Sequence, residues 1–166
     1  MYGAIVMEQL FQLVTISDKK VIDRLINMIL ELLERLDRKR IILDAENEPY
    51  LTRYYLFLKD RKWFPFNIFL HKFHKSDPDD LHDHPWPFIT VILKGGYWEH
   101  TPTGKRWKSA GTVRMAGSCQ LHRIELDPNV QVWTLFFVGP RLREWGFIKE
   151  GQWVQHKKYL AERYKN

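Results

Sequence analysis

Leu81-His82-Asp83-His84-Pro85-Trp86 is the stretch on which the reading of this chain turns. In an extended segment alternate side chains share a side, so His82 and His84 point one way and Asp83 the other. Two imidazoles so placed can share one metal ion, and neutral imidazole suits Fe, Zn, Ni, Cu and Mn. Asp83 then backs the site or meets the surface. A His-x-His pair also occurs in ordinary loops, so taken alone it leaves metal binding at even odds.

The sequence on either side of this stretch predicts strands. Residues 50–58 and 64–73 are rich in aromatic and branched side chains without a helical repeat, and the polar loop Lys75-Ser76-Asp77-Pro78-Asp79-Asp80 follows them. Downstream, 88–94, 97–101, 105–109, 112–115, 121–126 and 130–138 read as further strands. Gly95-Gly96 is expected as a tight hairpin turn, and Pro102-Thr103-Gly104 and Asp127-Pro128-Asn129 as turns. Many short strands with turns between them, and no helices intervening, point to a sandwich or barrel. Before them, 18–39 reads as one amphipathic helix. Ile22, Leu25, Ile26, Ile29, Leu32, Leu33 and Leu36 form its stripe, Ser17 and Asp18 its start, and Arg38-Lys39-Arg40 its basic end. Its expected use is packing on the barrel, with dimerisation second. Residues 1–16 fit a strand or a short helix. The expected organisation is therefore a helical appendage over 1–45 and a β-barrel over 46–166.

Composition bounds the function. The chain has 166 residues, 45% hydrophobic and 14% aromatic, enough for a folded domain with a core. One cysteine, Cys119, excludes an internal disulfide framework and favours a reducing cytoplasm. No apolar run approaches the length of a membrane span, and the N-terminus has no basic leader. The net charge of +6 is spread along the chain, which favours a solvated basic surface over a nucleic-acid footprint.

Two motifs extend the reading. His82-x-His84 is followed by Pro85-Trp86-Pro87, then Phe88, six residues and Gly95. Fifteen residues separate Gly95 from Gly111, which is followed by five residues, Gly117-Ser118-Cys119, two residues and His122. These resemble the first and second cupin motifs. In the cupin pattern a glutamate stands where Phe88 does, a glycine where Ser76 does, and an asparagine where Leu126 does. Gly117 and Cys119 replace the proline and glycine of the second motif. The resemblance covers roughly residues 50–140. It implies a mostly β fold, the double-stranded β-helix or jelly-roll barrel, here with an N-terminal amphipathic helix. It also implies a divalent metal ion held by His82, His84 and His122, with Glu99 as a further candidate ligand. Without the glutamate the site looks like the three-histidine version found in some cupin dioxygenases acting on thiols. Fe(II) is therefore the favoured ion, with Zn, Ni and Mn as alternatives. The wider segment, from Arg53-Tyr54-Tyr55 to Arg143-Glu144-Trp145-Gly146-Phe147, is also similar to uncharacterised cupin-like proteins encoded by bacteriophages.

Other residues carry weaker signals. His71 shares a face with Phe69 and Phe73, as a hydrogen-bonded interior histidine or a substrate contact. Arg141 and Arg143 could fork around a carboxylate or phosphate, against the plainer reading of surface charge. Trp86 could line a pocket, whereas most of the tryptophans are expected to pack the barrel. Asp77, Asp79 and Asp80 lack the glycine and glutamate of a calcium loop and are expected as solvated loop. Cys119 is expected as a small buried filler. The functions left standing are an Fe(II) dioxygenase-like enzyme on a small molecule, a metal-dependent isomerase or lyase, and a non-catalytic module that binds a ligand or partner. A metal-free sugar epimerase ranks lower, and a homodimer is compatible with the exposed strand edges and the helix.

Overall fold

The computed structural model describes residues 24, 26–44, 46–59 and 64–163. The expectations for residues 1–16, the Ser17–Asp18 cap, Ile22 and Leu25 fall outside them. Two compact units divide the chain between Arg38 and Lys39.

In the first unit, residues 26–35 form helix α1. The helix stops short of the expected residue 39 for a local reason. Asp37 takes a left-handed backbone with φ of 53°, a conformation that aspartate tolerates better than most residues. Asp37 N donates to Glu34 O at 2.9 Å and Arg38 N to Leu33 O at 2.7 Å, the two bonds that close a Schellman ending. The basic triplet therefore does not end the helix. Lys39 and Arg40 instead open a strand, β1 (Lys39–Leu43), in which Ile41 and Ile42 supply branched side chains.

The second unit is built of antiparallel sheets in the cupin jelly-roll arrangement. The strands after β1 are β2 (Pro49–Tyr55), β3 (Asn67–Phe73), β4 (Phe88–Lys94), β5 (Gly96–Thr101), β6 (Gly104–Ser109), β7 (Val113–Ala116), β8 (Arg123–Leu126) and β9 (Val132–Val138). Two further strands, β10 (Gly146–Lys149) and β11 (Gln152–Gln155), and a helix, α2 (His156–Arg163), follow. These three elements were not anticipated from the sequence. One sheet runs β1-β2-β3-β9-β4-β7, a second β6-β5-β8, and β10 pairs with β11. The expected hairpin at Gly95-Gly96 is absent, because β4 and β5 belong to different sheets. Gly95 carries the chain across with φ of 75°, and a Cβ there would lie 2.5 Å from Gln131 O, so only glycine fits.

Ile92 and Val132 of the large sheet pack with Tyr97 and Ile124 of the small one. A second cluster, Phe69, Phe88, Ala116 and Val138, is joined by Tyr55, Trp86 and Phe136. Three of the six described tryptophans do not fill this core as expected: Trp98, Trp107 and Trp153 are 38%, 42% and 42% exposed. An indole is large and amphipathic and is often only partly buried, its N–H meeting water or a polar partner, as that of Trp153 meets Asp83. No helix among the described residues is long and apolar enough to cross a membrane.

Candidate metal centre

The segment around His82 is extended because neighbours hold it on both sides. His82 and His122 exchange backbone hydrogen bonds at 2.9 Å in each direction, and Ile148 N donates to Leu81 O at 2.8 Å. Asp83 N reaches Gly146 O at 3.1 Å and His84 N reaches Ser118 O at 3.1 Å. Alternation then separates the side chains. His82 and His84 face inward toward His122, and one ring nitrogen from each of the three lies within 4.8 Å of the others. Asp83 points away. Its carboxylate, 2% exposed, accepts from Gly146 N at 2.7 Å, Trp153 Nε1 at 3.0 Å and Arg143 Nη1 at 2.6 Å.

The donor set suits a divalent ion. Burial holds the pKa values of His84 and His122 well below the usual histidine range, the neighbouring imidazoles adding to it, and burial lowers His82 against the pull of Asp77 and Asp83. Neutral imidazoles offer lone pairs. His84 Nε2 and His122 Nε2 stand 2.8 Å apart, close to the ~3 Å between two nitrogens each about 2.1 Å from one ion and at a right angle, as in an octahedral site. The buried Nδ1 atoms of His82 and His122 make no hydrogen bond among the described residues. Each faces a carboxylate instead: Asp77 Oδ2 at 4.0 Å from His82, and Glu99 Oε1 at 3.3 Å from His122. A proton on Nδ1 of each ring answers that carboxylate and leaves the other nitrogen free as a ligand. The three histidines could thus hold a metal ion.

The remaining residues singled out in the sequence are placed as follows. Glu99 is not among the converging donors. It sits behind His122, buried, ion-paired with Arg114 and 3.8 Å from Lys108 Nζ. Phe88, where the cupin pattern has glutamate, lays its ring edge-on to His84 at 4.7 Å, with the Arg114 guanidinium 4.9 Å above it. His71 and Trp86 line the cavity of about 360 Å³ into which the triad faces. Arg141 and Arg143 do not line it. Arg141 pairs with Glu144 at the surface, and Arg143 is tied to Asp83.

Two expectations need correction. Asp77 is not solvated loop but buried, accepting from the Tyr50 hydroxyl and from Ile124 N at 2.6 Å. Buried hydrogen-bond donors hold it where the loop composition alone suggested solvent. Cys119 is exposed rather than a buried filler, because the turn from Gly117 to Gln120 carries it outward.

Sequence reasoning also passed over Arg53, Phe136, Thr90 and Thr134 as cavity walls. Their shared face depends on strand register, which composition does not reveal. A second cavity of about 380 Å³ adjoins the first and shares Ile42, Tyr50, Asp77, His82 and Trp145 with it.

By sequence, no family model and no curated protein matches the chain. By structure it is similar to the polyketide cyclase RemF from Streptomyces resistomycificus, with TM-score 0.52 at 14% identity over 75% of this chain and 91% of that one. It is also similar to a protein of unknown function with a cupin-like fold from Ralstonia eutropha JMP134, with TM-score 0.51 at 12% identity over 76% and 79%. A cupin-2 domain from Rhodospirillum rubrum aligns with TM-score 0.50 at 14% identity over 60% and 66%. At such identities the likeness is one of fold, and the chain has the fold of the cupin proteins.

Proposed function

We propose that this chain is a metal-dependent enzyme acting on a small molecule, with Fe(II) as the favoured ion and dioxygenase-like chemistry as the favoured reaction. The observation that carries the reading is the convergence of three neutral imidazoles, His82, His84 and His122, at the wall of a cavity of about 360 Å³. A divalent ion held there would supply a Lewis acid or a redox centre. Three uncharged ligands leave the ion its full charge, where a glutamate at position 88 would have cancelled part of it. Phe88, Phe136 and Trp86 keep that side of the cavity apolar and exclude water from the reacting groups. Glu99 stands behind His122, 3.3 Å from its Nδ1, and Asp77, in the cavity wall, faces His82 Nδ1 at 4.0 Å. The small molecule is the expected partner, and a reducing cytoplasm the expected setting.

Metal content tests this reading. Protein purified anaerobically without a histidine tag is expected to carry near-stoichiometric metal that a His82→Ala/His84→Ala variant has lost, with circular dichroism verifying the fold. Wild-type protein that takes up none of Fe, Mn, Ni or Zn refutes it and leaves a non-catalytic binding barrel. Oxygen consumption during turnover separates a dioxygenase from an isomerase or lyase.

A further inference from the structure

Across the inner face of the large sheet, one row of directly opposed residues runs Arg40, Arg53, His71, Thr134 and Ile92. The first four line the cavity that holds the triad. Rows on either side of it are largely apolar: Leu51, Phe73 and Val132 in one, Tyr55, Phe69 and Phe136 in the other. Like charges directly opposite one another destabilise an antiparallel pair; Arg40 is exposed at the end of the row, so water screens part of the repulsion and an anion between the two would remove more of it. Among the described residues neither guanidinium has a carboxylate within ion-pairing distance. The cavity's own carboxylate, Asp77, is engaged by Tyr50 and Ile124 N. Arg53 is also held in place. Its Nε donates to His71 Nε2 at 3.0 Å, and its guanidinium carbon lies 4.6 Å from the centre of the Phe69 ring. Its side chain also hydrogen-bonds to the Tyr55 hydroxyl, and the donors that remain form an oriented fork toward the cavity. The ring of Phe136 lies 5.1 Å from that of His71 and 6.2 Å from that of His84, so about one phenyl ring separates the arginine–histidine pair from the triad.

We propose that Arg53, positioned by His71 and assisted by Arg40 opposite it, is the receptor for the anionic group of the small molecule that enters this cavity, a carboxylate or a phosphate. The anion supplies the negative charge that the two arginines lack, and its attachment turns the rest of the ligand toward His82, His84 and His122. Burial lowers the Arg53 pKa and the Arg40 charge adds to that, against the Tyr55 hydroxyl; the charge of a bound anion would offset both. The site shares its cavity with the proposed metal centre but does not need the metal, so the two can fail separately.

The test is calorimetric titration of the full chain, stripped of metal by chelation, with succinate, inorganic phosphate and neutral succinamide. Saturable binding of succinate or phosphate but not of succinamide is expected. Arg53→Gln should weaken it about tenfold or more, Arg40→Gln less, and Arg141→Gln not at all. Succinate alone binding assigns a carboxylate ligand, and phosphate alone a phosphate ester. Should Arg53→Gln fail to fold by circular dichroism, Arg53→Lys, which keeps the charge but not the fork, and Arg40→Gln decide. Absence of saturable binding by either anion overturns the proposal. So does binding that the Arg53 and Arg40 variants leave unchanged, whatever the metal content turns out to be.

Discussion

Replacing Asp83 by asparagine removes one charge from the point where three structural pieces meet. The carboxylate lies between the two histidines on the chain and accepts from Gly146 N, Trp153 Nε1 and Arg143 Nη1. An amide can keep only one oxygen. If that oxygen stays on Gly146 N, the new NH₂ meets the donors of Trp153 and Arg143, and no rotation satisfies all three. Each charge-assisted bond is worth about 1.5–3 kcal/mol, and breaking a buried pair costs about 3–5 kcal/mol. The Arg143 side chain is 32% exposed, so water takes back part of its share, and about 3 kcal/mol is the expected net loss. For a chain of this size that lowers Tm by roughly 6–12 °C. Thermal unfolding followed by circular dichroism reads it directly, beside Arg143→Gln, which leaves the other two donors satisfied and should cost about 1 kcal/mol. A fall in Tm below about 3 °C, or an Arg143→Gln loss as large as that of Asp83→Asn, would refute the view of Asp83 as the anchor of the histidine segment.

Two further outcomes follow from the same site. Glu99→Gln takes the charge from behind His122, and metal affinity measured by chelator competition should fall about 10–100-fold; unchanged affinity would show that Glu99 serves only Arg114. Acid should destabilise the protein through its buried histidines. Burial holds His71, His82, His84 and His122 below the ordinary histidine range. Below about pH 6.5 the unfolded chain therefore binds protons that the folded one refuses. Their contribution is fully present above that pH and is lost as pH falls toward the folded values, so the urea midpoint should drop between about pH 7 and 5. A flat or rising midpoint over that range would contradict it.

The parts of this molecule that were legible in the sequence are those written in local spacing. Alternation alone placed His82 and His84 on one side and Asp83 on the other, and the structure has them so. Turn chemistry located most strands, since Pro102-Thr103-Gly104 joins β5 to β6 as expected. What stayed hidden depends on contacts between distant segments. Arg53 faces His71 only once β2 and β3 are in register. Asp77 looks like loop until the Tyr50 hydroxyl and Ile124 N close on it. Gly95-Gly96 has the composition of a hairpin, yet the backbone of Gln131 lies against it and the chain crosses to the other sheet.

The charges around the triad divide by side, and the division bears on what the cavity accepts. Asp83 and Glu99 lie behind the histidines, each matched by a cation, Arg143 and Arg114, and neither lines the cavity. In front, facing the open space, stand Arg53 and Arg40 with Asp77 already engaged. Negative charge behind the imidazoles raises their basicity and favours a bound cation. Positive charge across the cavity does the opposite for any second cation and draws in an anion. A neutral ligand set reinforces this, because a metal ion that keeps its full charge also favours an anionic or electron-rich group beside it. A glutamate at position 88 would weaken both effects at once. Phe88 is therefore better understood as part of the site's electrostatics than as a lost ligand. It keeps the cavity apolar around the triad and, on the proposal above, leaves the negative charge to the anionic ligand that Arg53 would bind.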